Sequence, residues 1–462
     1  MSPSAGEVSV NQSVDDYETD KVCIVGAGPS GLIMARQLAK ASVPFDVFEK
    51  HSYVGGIWDP DNIGSPIYSS AHFISSKHTS YFYGFPMPAI YPDYPSQQQL
   101  LDYIRAFAEA YGLYDRITFD CPVESARPDD GGWVVTAGGR ERRYRALIAA
   151  PGVNWHPNLP DYPGISSYTG DARHSVTYNH PDEFRQSRVL IVGGGNSGAD
   201  IACDAARSAD ATFFSVRRGY RYLPKYVFGI PTDVYVNEGG QPPAGVVMPE
   251  DPSALLDALV GDLTRFGLPA PDHDALASHP ILNTQILHHL AHGEVIAKPD
   301  VARFTSSGAI FTDGTEEPVD TVIFATGYDS KIPFVDESLF EWNGGRPELY
   351  LNIFHRAIDN LYVLGFVEFA DAAYHRFDEM AQLIAIDLTA TGADKARFTD
   401  LKSTHQPDLR GGMDYIDSAR HANYVETHTY QHVMSEVRDS FGWPAVDDSS
   451  FPTRSNSRSD RR

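Results

Sequence analysis

Two glycine clusters dominate the chemistry open to this chain: Gly26-Ala27-Gly28-Pro29-Ser30-Gly31 near its start and Gly193-Gly194-Gly195-Asn196-Ser197-Gly198 near its middle. Both carry the spacing Gly-x-Gly-x-x-Gly. The first glycine turns a strand tightly into a helix, the second lets backbone approach a pyrophosphate, and the third seats the helix on the strand. The helix that follows aims unpaired N–H groups and the positive end of its dipole at the bound anion. After the first cluster the next strand ends in Glu49, followed by Lys50. The carboxylate lies about 20 residues on, where it can accept hydrogen bonds from a ribose diol. After the second cluster the equivalent strand ends in Ser215, Arg217 and Arg218, with no acidic residue. A guanidinium there suits a 2′-phosphate, so the second site should prefer NADPH. Two such sites in one chain suggest a hydride passing from a nicotinamide to a flavin, chemistry that side chains lack.

Other clusters carry less. His288, His289 and His292 lie on a predicted helix, but zinc needs three or four ligands and no Glu stands where a His-Glu-x-x-His site would have one. We read a polar helix face and expect no metal. The cysteines, Cys23, Cys121 and Cys203, are far apart and form no Cys-x-x-Cys pair. That argues against a disulfide reductase of two-dinucleotide architecture, and it suits a reducing, cytoplasmic setting. The aromatic run Tyr81-Phe82-Tyr83-Gly84-Phe85, with Tyr91 and Tyr94 beyond it, reads as core before cavity wall.

The elements that must hold the glycine loops follow from periodicity. Strands are predicted at 21–25, 45–48, 189–192 and 211–216, and each glycine loop opens a helix; Leu32, Ala35, Leu38 and Ala39 mark the first helix. Apolar or alternating runs at 133–136, 146–150, 309–311, 321–324 and 361–365 add further strands. The fold class is α/β, with two Rossmann-like dinucleotide-binding domains, the second inserted into the first. An FAD-binding domain is expected over 21–185 and 325–445, an NADPH-binding domain over 186–324, and disordered tails over 1–20 and 446–462. Acidic residues outnumber Lys and Arg by 61 to 37, for a net charge of −24. That argues against nucleic acid and anionic membranes as partners. No apolar run approaches the roughly 20 residues of a membrane span, and a homodimer is the commonest assembly for such a chain.

Several segments, in order, resemble the flavin-containing monooxygenases, part of the class B flavoprotein monooxygenases, over about residues 21–445. Tyr168-Thr169-Gly170-Asp171-Ala172-Arg173-His174-Ser175-Val176-Thr177-Tyr178, continuing to Asp182, is similar to the family's Phe-x-Gly-x-x-x-His-x-x-x-Tyr/Phe-x-x-x-Pro/Asp pattern, with Tyr replacing the leading Phe. Gly55-Gly56-Ile57-Trp58 resembles its flavin-contact segment, Ser215 to Gly219 its NADPH-phosphate segment, and Asp320 to Tyr328, with Ala325, Thr326, Gly327 and Tyr328, its hinge. Gln382, at the start of a late helix, matches a flavin-contact position. The resemblance implies that NADPH reduces FAD and that O2 adds at the flavin C4a to give a hydroperoxide. That species oxygenates a nucleophilic nitrogen or sulfur of a small molecule, as in N,N-dimethylaniline monooxygenases, with His174 and Tyr178 at the catalytic interface.

Two departures stand out. Ile74 occupies the place of a family Asn, leaving Ser75, Ser76 or Lys77 to substitute, and Ala150-Pro151-Gly152 replaces the usual hinge sequence. Segments 226–295 and 366–378 are expected to complete a substrate pocket. Rival readings are a Baeyer–Villiger ketone monooxygenase, disfavoured because Tyr178-Asn179 stands where that class has Trp-Pro, and an uncoupled NADPH oxidase or redox sensor, which Ile74 keeps open.

Overall fold

The computed structural model describes residues 20–452 apart from 250, 371 and 423. The predicted tail over 1–20 therefore lies, save residue 20, outside the described residues, as does 453–462.

Strands Val22–Val25, Ala146–Ala149 and Leu361–Val363 are continuous apolar runs, buried throughout, as strands covered on both faces must be. With Phe45–Phe48 and Ile117–Thr118 they form a five-stranded parallel sheet in the spatial order 361–363, 146–149, 22–25, 45–48, 117–118. Helices Pro29–Lys40 and Tyr374–Thr389 pack together beside it. A second five-stranded parallel sheet runs in the order 296–298, 211–215, 188–192, 321–324, 171–174.

The two units repeat one plan. In the first, an antiparallel three-stranded sheet (123–129, 132–137, 140–144) is inserted between strands 117–118 and 146–149. In the second, its counterpart (301–305, 308–311, 316–318) is inserted between 296–298 and 321–324. The whole second sheet lies in sequence between 146–149 and 361–363 of the first, which is the insertion that the glycine loops predicted. The chain leaves through His156–Pro157 and returns through Tyr328–Asp329, and these segments pair antiparallel.

Three expectations need correction. Strand Asp171–His174, assigned with 21–185 to the first unit, is the edge strand of the second sheet, paired with Thr321–Phe324. Part of the expected C-terminal tail is folded: Val446 and Phe451 are buried, and Asp448 accepts hydrogen bonds from Gly84 N and Tyr81 OH, both at 2.8 Å. Gln382 lies inside helix Tyr374–Thr389, well past its start, because the helix begins at Tyr374. Among the described residues no helix is long and apolar enough to cross a membrane.

Candidate dinucleotide sites and the interface between them

Both glycine loops have the same backbone construction. Gly26 and Gly193 have φ of +109° and +117°, and a Cβ on either would sit 2.3 Å from a carbonyl oxygen, that of Ala150 or Ala325. Only glycine fits a position that combines positive φ with so close an approach. At Gly31 and Gly198 a Cβ would fall 2.0 and 1.9 Å from the carbonyl oxygens of Gly26 and Gly193. The following helices, Pro29–Lys40 and Asn196–Ser208, begin after Gly28 and Gly195 with no side-chain cap, so their first N–H groups are left for a ligand. Pro29 sits at the first helical position, where its missing N–H costs nothing. A Cβ at Gly195 would meet nothing within 4 Å, so the approach to the second loop is open.

At the first loop, buried Glu49 accepts from Ala27 N at 2.6 Å and from His51 N at 2.9 Å. It ties the loop to the strand end; Oε1 is also met by the His51 ring Nδ1 at 3.1 Å, and Oε2 keeps a lone pair for a hydroxyl. Lys50 lies 3.8 Å from the Trp155 ring centroid, a cation–π contact, and burial lowers its pKa. Gly56 crosses the loop, its Cα 3.5 Å from a Cβ placed on Gly28, while Gly365 approaches Ser30 Oγ to 3.3 Å by the same measure. The turn Gly56–Trp58 is pinned by Asn62 Nδ2 donating to Gly56 O at 2.8 Å and Ser65 Oγ donating to Ile57 O at 2.6 Å. Trp58, Phe73 and Tyr374 form an aromatic wall, with centroids 5.4 and 5.6 Å apart in succession. On the helix that carries Tyr374, Gln382 Oε1 is buried without a hydrogen-bond partner among the described residues. An unmatched polar atom and a cradle that only glycine fits are what a bound flavin dinucleotide requires.

At the second loop, Asn196 is engaged in fixing a neighbouring turn: its Nδ2 donates to Pro280 O at 3.1 Å and its Oδ1 accepts from Leu282 N at 2.9 Å. Ser197 is exposed. Ser215 is buried and donates to Pro299 O at 2.8 Å, so its hydroxyl is committed inside the fold. Arg217 is exposed, and no hydrogen bond or ion pair engages it among the described residues. The Arg218 guanidinium lies 4.9 Å from the Tyr220 ring centroid, and its Nε is buried without a partner among the described residues.

His174 is buried. Its Nδ1 accepts from Val176 N at 3.1 Å, which leaves Nε2–H to donate to Gly327 O at 3.0 Å. Burial lowers its pKa, so a neutral ring ties the second sheet to the hinge. The hinge closes around it: Thr326 Oγ1 donates to Asn158 O at 2.6 Å, and Tyr328 meets the His174 ring edge-on at 5.0 Å. Ala325 N bonds back to Val192 O at 2.8 Å. Tyr178 is fully buried, stacked on Phe184 at 4.9 Å, with its hydroxyl on Asp204. Ser75 Oγ accepts from Ser80 Oγ at 2.7 Å. Lys77 does not join the others: its Nζ donates to the carbonyls of Ala89, at 2.9 Å, and Tyr91. Of the histidine cluster, His289 Nδ1 pairs with Glu294 at 2.6 Å.

Sequence reasoning missed three acidic residues at this interface. Asp233 accepts from Ser76 N at 2.7 Å and from Thr79 Oγ1, holding the turn after Ile74. Asp200 and Asp204 face Tyr68, Ser70 and Tyr178. The available signal was two carboxylates four apart in a helical stretch, 199–206, otherwise built of Ala, Ile and Cys.

Two glycine-loop units, one inserted in the other, with an acidic strand end in the first and a basic one in the second, define a two-dinucleotide flavoprotein. The chain belongs to the flavin-binding monooxygenase-like family, whose model matches residues 19–386. The family's members are flavin-dependent monooxygenases using FAD and NADPH. The chain is 32% identical over 365 residues to dimethylaniline monooxygenase [N-oxide-forming] 2 of Macaca mulatta, covering 72% of this chain and 66% of that protein. It is 29% identical over 451 residues to flavin-containing monooxygenase 5 of Oryctolagus cuniculus, covering 91% and 83%. The chain thus spans about two thirds of the first relative's length. In fold it resembles a steroid monooxygenase solved with NADP bound, at TM-score 0.65 and 19% identity, covering 92% of this chain and 99% of that one.

Proposed function

We propose that this chain is an NADPH- and FAD-dependent monooxygenase that transfers one oxygen atom of O2 to a nucleophilic nitrogen or sulfur of a small molecule. The observation that carries this reading is the asymmetry between two otherwise duplicated loops: Glu49 is locked beside the first, and Arg217 stands unengaged beside the second. Bound FAD would supply the hydride acceptance and O2 activation that side chains lack. Gly26, Gly28, Gly31 and the start of helix Pro29–Lys40 would hold its pyrophosphate, Glu49 a ribose, and Gln382 an N–H of its ring system. Gly193, Gly195, Gly198 and the start of helix Asn196–Ser208 would hold NADPH, with Arg217 and Arg218 on the 2′-phosphate.

The wall of Trp58, Phe73 and Tyr374 would shield a flavin held by the first loop from water, which favours oxygen transfer over release of peroxide. His174 works as a positioning residue, neutral at physiological pH. Tyr178 likewise orients, its hydroxyl spent on a carboxylate. Ser75, on the turn that follows Ile74, is the nearest hydroxyl in sequence to the missing family Asn. One observation favours a second reading: Ile74 offers no hydrogen bond, and a site short of a donor there would leak NADPH electrons to O2 as peroxide.

The test is to mix purified yellow protein with NADPH under 18O2 and a panel of tertiary amines and thioethers. The proposal expects faster NADPH oxidation with substrate and a product carrying one 18O atom. NADPH converted wholly to peroxide whatever is added would replace it with the oxidase reading, and a colourless preparation with no extractable flavin would end both.

A further inference from the structure

Donors from three separate segments converge on one face of helix Asn196–Ser208. Asp200 Oδ2 accepts from Tyr68 OH at 2.9 Å, and its Oδ1 accepts from Asn283 Nδ2 at 2.6 Å. One turn on, Asp204 Oδ2 accepts from Tyr178 OH at 2.9 Å and from Ser70 Oγ. Residues four apart share a helix face, so the two carboxylates form one ledge. The backbone closes the arrangement: Ser69 N donates to Asn179 O at 2.9 Å, and the Tyr68 and Tyr178 rings lie 5.6 Å apart.

The ledge is costly. Asp204 is buried, and its cationic neighbour, Arg207, is 3.5 Å away and half exposed. Asp200 is half-buried, with Lys225 as its cationic neighbour, and neutral hydroxyl and amide groups supply most of the hydrogen bonds to the two carboxylates. Apolar side chains would fill such a place at less expense in free energy. What the carboxylates add is direction, since each fixes its donors in orientation as well as distance. The connected segments are informative. Tyr68 to Ser70 lead into Phe73, Ile74 and Ser75, beside the aromatic wall of the first site, and the helix itself begins at the second glycine loop.

We propose that Asp200 and Asp204 are positioning residues that lock the segment 68–75 to the NADPH helix. A nicotinamide held by the second loop and a flavin held by the first then face one another at a fixed separation. The inference rests on the FAD and NADPH assignment above. Loading the second loop stiffens the helix, and the ledge passes that stiffness to segment 68–75, which touches the other site.

Hydrogen–deuterium exchange on the FAD-loaded protein, with and without NADP+, tests this without turnover. In the wild type NADP+ slows exchange in both peptides 193–200 and 66–76. In Tyr68→Phe and Asp200→Asn, peptide 193–200 stays protected, while protection of 66–76 falls by about tenfold, the worth of one hydrogen bond to a charged acceptor. Anaerobic stopped-flow with saturating NADPH then shows flavin reduction slowed by about the same factor, with FAD content and NADP+ affinity retained. Full protection of 66–76 in both variants, or wild-type reduction rates, would overturn the ledge. No protection of 193–200 in the wild type would instead remove the NADPH site and this inference with it.

Discussion

At the scale of single residues, Arg217 is the clearest lever. It is exposed and unengaged, so its removal leaves the fold intact. Losing one charge-assisted hydrogen bond costs about 1.5–3 kcal/mol. Arg217→Ala should therefore raise KM for NADPH by about 10- to 100-fold and leave KM for NADH almost unchanged; steady-state kinetics with both coenzymes measures the contrast. Equal losses for the two would remove Arg217 from the 2′-phosphate. The sequence made this residue a candidate because a strand end after a glycine loop has only a few positions that reach the ribose, and the fold leaves it exposed. Ser215, two residues earlier and the last residue of strand Ala211–Ser215, was not separable from it by sequence; only the fold shows its hydroxyl committed inward to Pro299 O. Lys77 was misleading for a similar reason: only the folded turn shows its ammonium capping the carbonyls of Ala89 and Tyr91.

At the scale of elements, helices Pro29–Lys40 and Tyr374–Thr389 are joined by the buried pair Arg36 and Asp378. Burial raises the Asp378 carboxyl to about 6 even with Arg36 against it. Arg36 also donates to Tyr83 O at 2.6 Å, and its guanidinium lies 3.6 Å from the Phe451 ring centroid. Breaking one half of a buried pair strands a charge, so Arg36→Met should destabilise by about 3–5 kcal/mol, and adding Asp378→Leu should recover part of that loss. Urea unfolding of the two variants checks the order. The strands beside the glycine loops were readable as short apolar runs. Asp171–His174 was not: it reads Asp-Ala-Arg-His and is exposed along half its length, as an edge strand permits, so no hydrophobic period announced it. The polar run Asp447–Ser450 misled in the same way. Its side chains cap one another in a short turn that delivers Phe451 to the core.

At the scale of the whole molecule, the C-terminal chain closes onto the second unit through histidines kept neutral. His421 Nε2 accepts from His279 N at 3.1 Å, and His279 Nδ1 meets Tyr424 OH at 2.6 Å. Burial first, then the charge of Arg420, pushes His421 down to about 3, while burial holds His375 at about 4. An unfolded histidine titrates near pH 6.5, so below that pH the unfolded chain holds more protons than the folded one. The stability from these rings is complete above about pH 6.5 and is lost as pH falls toward 4 and then 3. Thermal unfolding midpoints should decline through that window, and His421→Asn should flatten the decline; an unchanged slope would show that carboxylates alone set it. The insertion itself was visible from the order of the two loops, but the narrow ribbon where Pro157 and Tyr328 pair was not, being two residues long on each side. That ribbon has an evolutionary corollary. A cassette whose ends emerge side by side closes its host with little more entropy than a hairpin, so the coenzyme-reading half could be exchanged between homologues by recombination at two cut points without redrawing the half around it.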